Sequence, residues 1–259
     1  MIDLHTHTLN SDGVLIPTEL WRRAQVKGYR YLGITDHVDA SNFEEVFARI
    51  KTAADSLNGG APPYLIPGLE FTHLPPDLIG PLTAKARALG VPLIVIHGET
   101  LAEPVALGTN RAALEADIDI LAHPGLITRE EVALAKKRGI HLELSARKGH
   151  SLANGHVAAL AREVGALLVV NTDAHEPSDL ISREQAGRVA RGAGLLDTEV
   201  ALLLANAEAF ARRLRDLLAN PPVLLAMKRA SLDMAPRFEA GRIARQMETL
   251  LLAAAESAS

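Results

Sequence analysis

The chain has 259 residues, of which 27 are basic and 31 acidic, for a formal charge of −4, with 48% hydrophobic and 22% charged residues. That balance fits a globular protein of one or two domains and excludes a disordered or collagen-like chain. Cysteine is absent, which excludes disulfides, thiolate metal sites and a cysteine nucleophile, so any metal must be held by histidine and carboxylate.

Short apolar, β-branched runs alternate with amphipathic stretches. Strands are expected over residues 2–5, 29–35, 64–67, 92–97, 118–123, 140–145 and 166–171. The intervening helices carry start and stop signals. Pro17 stands where a first-turn proline is tolerated, and Ser41-x-x-Glu44 and Thr128-x-x-Glu131 read as capping boxes. Gly28, Gly90, Gly139 and Gly165 each precede a strand, where a helix is expected to end. Seven β-then-α units predict a parallel sheet with right-handed crossovers, closed as a barrel or left open. Beyond Asn171 the strand signal stops, and residues 182–192, 197–218 and 237–255 read as helices, with Asn220-Pro-Pro as a break. One domain over 1–259 is expected, its β/α part covering about 1–195 and a helical segment about 196–259.

The chain opens Met1-Ile-Asp-Leu-His5, without the basic start and apolar run of a secretory signal. Its apolar tracts fall far short of the ~20 residues of a membrane helix. A cytoplasmic, membrane-free protein is the expectation. The mild acidity and few aromatic residues argue against a broad nucleic-acid surface.

Six of the ten histidines lie at or just past the end of an expected strand: His5, His7, His37, His97, His123 and His175. Asp12, Glu70 and Asp173 share that placement. In parallel α/β architectures the loops at the carboxyl ends of strands converge on one face, where active sites are found. His5-x-His7 and Asp173-x-His175 have the spacing that sends two side chains to the same side of an extended strand end. Singly, each has a bland reading as a packed histidine or a turn-forming acid. Together, nine nitrogen and oxygen donors exceed the four of a single tetrahedral zinc and suggest two or three ions.

The series His5-Thr-His7, Ser11-Asp12-Gly13, Ile34-Thr-Asp36-His37, Pro67-Gly-Leu-Glu70, His97-Gly-Glu99, Ala122-His123-Pro-Gly and Asn171-Thr-Asp173-Ala-His175 resembles the PHP (polymerase and histidinol phosphatase) family from residue 2 to about 190. The resemblance implies a distorted seven-stranded (β/α)7 barrel with a trinuclear metal cluster at its C-terminal rim. It implies that His5, His7, Glu70 and Asp173 hold one ion. Glu70 would bridge to a second held by His97 and His123, and Asp12, His37 and His175 would hold the third. Some family phosphatases have histidine where this chain has Asp12; the extra anionic oxygen favours manganese or iron over zinc alone.

Clustered divalent ions suit phosphate esters, so hydrolysis by a metal-bound hydroxide without a covalent intermediate is the expected chemistry. Arg147 and Lys148, just past the sixth expected strand, are candidate phosphate ligands, with Arg111 behind them. His150 and His156 are open between substrate contact and helix-start decoration. Glu99 is a candidate partner for a metal-bound imidazole. Glu143 is expected to point into the barrel, His141 to be structural and His73 to sit at the rim. The leading function is a small-molecule phosphomonoesterase of the histidinol-phosphatase type. Alternatives are a nuclease or nucleotide phosphatase of the same family, an amidohydrolase-type C–N hydrolase, and a non-catalytic metal-binding domain.

Overall fold

A computed structural model describes residues 1–220, so the helix expected at 237–255 lies outside the described residues. Strands β1 (Ile2–Asp3), β2 (Tyr31–Ile34), β4 (Tyr64–Phe71), β5 (Leu93–His97), β6 (Ile120–Ala122), β7 (His141–Ser145) and β8 (Leu168–Asn171) form one parallel sheet in that order. A two-residue strand, β3 (His37–Val38), pairs with the far half of β4. Around the sheet run α1 (Pro17–Val26), α2 (Phe43–Leu57), α3 (Pro76–Leu89), α4 (Thr109–Glu115), α5 (Arg129–Arg138), α6 (Asn154–Val164) and α7 (Arg183–Gly192); α8 (Asp197–Leu218) ends the described chain.

The sheet curls until its two edges meet. No ladder joins β1 to β8, but Thr6 bridges Ala174 and the His7 amide donates to the Ala174 carbonyl at 2.8 Å. The Leu4 amide donates to Asn171 Oδ1 at 2.9 Å, and the Thr172 hydroxyl to Asp3 Oδ2 at 2.6 Å. The result is a nearly closed, seven-stranded α/β barrel.

Alternation along each strand divides the apolar residues into two cores. On β5, Ile94 and Ile96 pack outward with Leu142, Leu144 and the helix faces, whereas Leu93 and Val95 pack inward with Ile66, Ile120 and Val169. The inward set is completed by Ala207, Phe210, Ala211 and Leu214 of α8, which closes the N-terminal end of the barrel. Toward the other end the inward positions turn polar: Glu70 continues the series Ile66–Gly68, and His97 the series Leu93–Val95.

Local signals account for most boundaries. Pro17 opens α1, and Gly90, Gly139 and Gly165 end α3, α5 and α6 in the left-handed conformation. The Thr128–Glu131 capping box forms. The Ser41 box does not, because the Ser41 hydroxyl bonds Asp39 Oδ1 at 2.6 Å and α2 starts later, at Phe43. Strand β4 runs four residues past the expected 64–67. Pro67 lies opposite Ile34, where β2 ends, and the later residues pair with β3 and β5 instead.

His141, also on an inward position, is buried and stacks on Phe210 with ring centroids 4.3 Å apart. Burial pushes its imidazole down to about 4. A histidine depressed in the fold stabilises it fully above the ordinary value near 6.5, and that contribution is lost as pH falls through this window. The loss is on the order of 3 kcal/mol for a shift of this size. In chelator, His141→Leu should therefore lose less stability between pH 7 and pH 4.5 than the parent. Equal losses in urea unfolding would show that His141 does not carry the effect.

Candidate metal centre

The nine expected donors meet in one place, from positions up to 170 residues apart. His5 Nε2 lies 3.3 Å from Glu70 Oε2 and 3.7 Å from Asp173 Oδ1; His7 Nε2 lies 3.1 Å from Asp173 Oδ1 and 3.6 Å from Glu70 Oε2. His123 Nε2 is 3.8 Å from both Glu70 Oε1 and Asp173 Oδ2. Asp12 Oδ1 is 3.1 Å from His175 Nε2 and 3.5 Å from His37 Nε2. His97 and His123 sit edge to face with centroids 4.4 Å apart. Donor atoms group within 4.8 Å of one another as His5, His7 and Glu70; His5, His123 and Asp173; His7, Asp12, His37 and His175; and His97, His123 and His150.

The backbone reaches this arrangement partly against the expected geometry. His5 and His7 follow β1 in extended chain, but Asp173 adopts φ +52° and His123 φ +27°. Asp173-x-His175 is therefore not an extended pair, and its two side chains converge through a left-handed residue. Such a conformation costs on the order of 1–3 kcal/mol and persists when the surroundings enforce it. Here the Asp173 amide donates to the His5 carbonyl at 3.0 Å.

Several neighbours fix the imidazoles. Glu143 projects into the barrel, and its Oε2 accepts from His5 Nδ1 at 2.8 Å and from Asn171 Nδ2 at 2.9 Å. His5 then turns Nε2, without a partner, toward Glu70. His37 Nδ1 contacts the Thr72 hydroxyl at 2.6 Å, and His175 Nδ1 lies 2.9 Å from the Asp173 carbonyl. Asp36 accepts from the Thr8 amide at 2.6 Å and from the Ser11 hydroxyl at 2.8 Å, holding the loop that carries Asp12. Glu99 is not such a partner: its Oε1 accepts from the Asn110 amide at 2.9 Å and anchors the start of α4.

The electrostatics suit a cation held among these donors. Glu70 is fully buried, yet the imidazoles of His5 and His37 outweigh its burial and hold it well below the usual carboxylate range. Burial, with Glu70 and Glu143 alongside, pushes Asp173 up to about 7 against the pull of His5. Burial and the neighbouring His37 depress His7, as burial and His97 depress His123, favouring the neutral, ligating imidazole. Five of the eight buried side-chain atoms without a hydrogen-bond partner among the described residues are His5 Nε2, both nitrogens of His7, Glu70 Oε1 and His123 Nδ1. Unpaired buried donors and acceptors are costly, and the donor set, all imidazole and carboxylate, suits divalent zinc, manganese or iron.

Five of the donors, Asp12, His37, His97, Asp173 and His175, line a cleft of about 220 Å³ with Thr72, His73, Glu103, Arg147 and His150, and the other four lie buried beside them. Arg147 points into it, donating to the Asp173 carbonyl at 2.9 Å. Lys148 is exposed and does not line the cleft; Arg111 pairs with Glu115 along α4 at 2.6 Å and does not line it either. His156 is held by the Ile127 carbonyl at 2.7 Å. Glu103 and His73 went unassigned to the centre on sequence, because neither directly ends a strand and only the loop between β5 and α4 brings Glu103 back over the rim.

No family model matches the chain. An uncharacterized protein of Methanocaldococcus jannaschii is 46% identical over 200 residues, 76% of this chain and 92% of that one. DNA polymerase/3'-5' exonuclease PolX of Bacillus subtilis is 30% identical over 82% of this chain, which spans only 41% of PolX. A probable phosphatase of Thermoanaerobacter sp. is 26% identical over 76% of this chain and 88% of its own. The chain belongs to the PHP family. Among solved structures, a chain of archaeal ribonuclease P with mature tRNA superposes with a TM-score of 0.63 at 16% identity, covering 84% of this chain and 94% of that one. Histidinol phosphate phosphatase of Lactococcus lactis, complexed with zinc, L-histidinol and phosphate, gives 0.53 at 14% identity, over 75% of this chain and 94% of that one. At these identities the likeness is one of fold.

Among this PHP chain's residues, Glu143 offers a clean test of the supporting shell. Glu143→Gln keeps the shape and removes the charge behind His5. Metal affinity should fall by about tenfold or more, measured by competition with a chromophoric chelator. An unchanged affinity would make Glu143 a packing residue only.

Proposed function

We propose that the cleft is the active site of a metal-dependent phosphomonoesterase acting on a small phosphorylated substrate. One observation carries this reading: nine imidazole and carboxylate side chains from seven segments gather in one cluster that opens into the cleft, with buried ligand atoms lacking any protein partner. His5, His7, Glu70 and Asp173 would hold one ion, Glu70, His97 and His123 a second, and Asp12, His37 and His175 a third. Bound there, divalent ions polarise phosphoryl oxygens and acidify coordinated water.

The chain's own groups supply position and charge. All nine donors are committed as ligands, which leaves water as the attacking group and argues against a covalent enzyme intermediate. Arg147 is the guanidinium of the cleft lining, and its planar fork matches a phosphate. With His175 Nε2 serving as a ligand, Nδ1 would keep its proton and donate to the Asp173 carbonyl, the acceptor that also holds Arg147 Nη1 at the cleft wall. The volume of about 220 Å³ suits a phosphate with a modest leaving group better than a polynucleotide. The names of the probable phosphatase and the histidinol phosphatase support the same chemistry.

Metal analysis paired with a panel of sugar phosphates, histidinol phosphate, nucleotides and oligonucleotides tests the reading. Chelator-stripped protein should be inactive and regain monoesterase activity with manganese or zinc. Activity confined to oligonucleotides would replace it with a nuclease, and activity indifferent to chelation would end it. Arg147→Ala should raise KM about tenfold or more while metal content stays constant. Glu70→Gln should lower both metal content and turnover, because a shared anion is lost.

A further inference from the structure

We propose that His150 and Glu103 are further ligands of the metal site that His97 and His123 share with Glu70, beneath the ends of β5, β6 and β7. The inference rests on the metal-dependent reading above and adds two donors to it, one of them in place of the substrate contact expected of His150.

The first argument is proton bookkeeping at His97. Its Nδ1 faces the Gly98 carbonyl at 3.2 Å, an acceptor only, so that nitrogen must carry the proton. Nε2 of the neutral ring is then a bare lone pair, and it points at Glu103 Oε2, 3.1 Å away. Two acceptors at that distance need a proton or a metal ion between them, and the spacing suits the ion. Glu103 meets three rings at once: His73 Nε2 at 3.0 Å, His97 at 3.1 Å and His150 Nε2 at 3.4 Å. Two ligands of a tetrahedral ion with bonds of ~2.0–2.1 Å stand roughly 3.3 Å apart, which is the spacing Glu103 keeps from His97 and His150.

The second argument is how firmly His150 is aimed. It is 6% exposed and opens a 3-10 turn (His150–Ala153) after β7. Its Nδ1 contacts the Thr100 hydroxyl at 2.7 Å, leaving Nε2 for the cleft. The ring stacks on His123 with centroids 4.1 Å apart and meets His97 at right angles. The ligand nitrogens of these three buried rings lie within 4.8 Å of one another. A substrate contact would not require a ring locked parallel to one metal ligand and perpendicular to another.

Glu103 is less buried than the rings but is not loosely held. The loop from Gly98 to Gly108 is largely exposed but touches its neighbours closely at two points: a Cβ on Gly125 (φ +61°) would collide with the Glu99 carbonyl, and one on Gly149 would press Ala102 at 3.3 Å. His73 steadies the carboxylate from outside with φ +53°, one of three non-glycine residues of positive φ among those described; the other two are His123 and Asp173. Its exposure of 39%, against 5% or less for the three rings, makes Glu103 the ligand of this site most open to replacement by an incoming oxygen.

Cobalt(II) loading of the full chain tests this through stoichiometry and the visible spectrum. Relative to the parent, His150→Gln should bind about one equivalent less cobalt, or bind it at least tenfold more weakly. Glu103→Gln, on the rim where folding is not at risk, should shift the visible band. Thr100→Val leaves both ligands in place and should weaken binding without moving the band. If His150→Gln and Glu103→Gln load cobalt with the parent's stoichiometry and spectrum, the two residues are not ligands, whatever happens to KM. A parent that binds no cobalt, zinc or manganese would instead overturn the metal-centre reading itself.

Discussion

Everything at this site depends on the seam where the barrel closes on itself. His5 and His7 leave β1 at one edge of the sheet, and Asp173 and His175 leave β8 at the other. The seam contacts, Thr6 with Ala174, the His7 amide with the Ala174 carbonyl and the Asp173 amide with the His5 carbonyl, set these two pairs side by side. Without closure, the donors would lie at opposite edges of an open sheet with six strand spacings of about 4.8 Å between them. Asp3 reinforces the seam by accepting from Thr172, and burial pushes that carboxyl up to about 6 even so. Closing the barrel thus buries charge, a cost set against the two apolar cores.

The molecule divides its labour along the barrel axis. At the N-terminal end the inward residues are apolar and α8 covers them, with Phe210 laid on His141. At the C-terminal end the same alternating positions carry Glu70, His97 and Glu143, buried polar side chains crowded together. Folding of the lower half must hold the upper half in an arrangement it would not choose alone. Left-handed backbone at His123 and Asp173 and the unpaired nitrogens of His7 are local signs of that constraint.

The supporting residues show how a barrel of loops can be rigid enough to hold ions. Asp36 ties down the Asp12 loop, Thr100 holds the outer nitrogen of His150, Glu143 holds that of His5, and Thr72 meets His37 Nδ1 where that nitrogen also faces Glu70 at 2.7 Å. The contacts of Thr100 and Glu143 fix which ring nitrogen faces the donor cluster, and so decide ligand geometry from one layer out. Two of the four are threonines in loops, residues whose short side chains reach only an immediate neighbour. Their value comes entirely from what the fold places beside them.

The sequence alone determined the alternating α/β architecture and the set of strand-end donors. Both follow from local periodicity and from the rule that carboxyl ends of parallel strands share a face. The capping box at Thr128, the opening proline of α1 and the closing glycines are local too, and were legible for that reason. Closure of the sheet, the extension of β4, the left-handed turn at Asp173 and the capture of Ser41 by Asp39 were decided only in three dimensions, by pairing partners and hydrogen bonds distant in the chain or in competition with the local signal. The same holds for Glu99 and Glu103, four residues apart in one loop. Nothing in their sequence neighbourhood distinguishes them, yet packing turns one to the backbone of α4 and the other to three imidazoles.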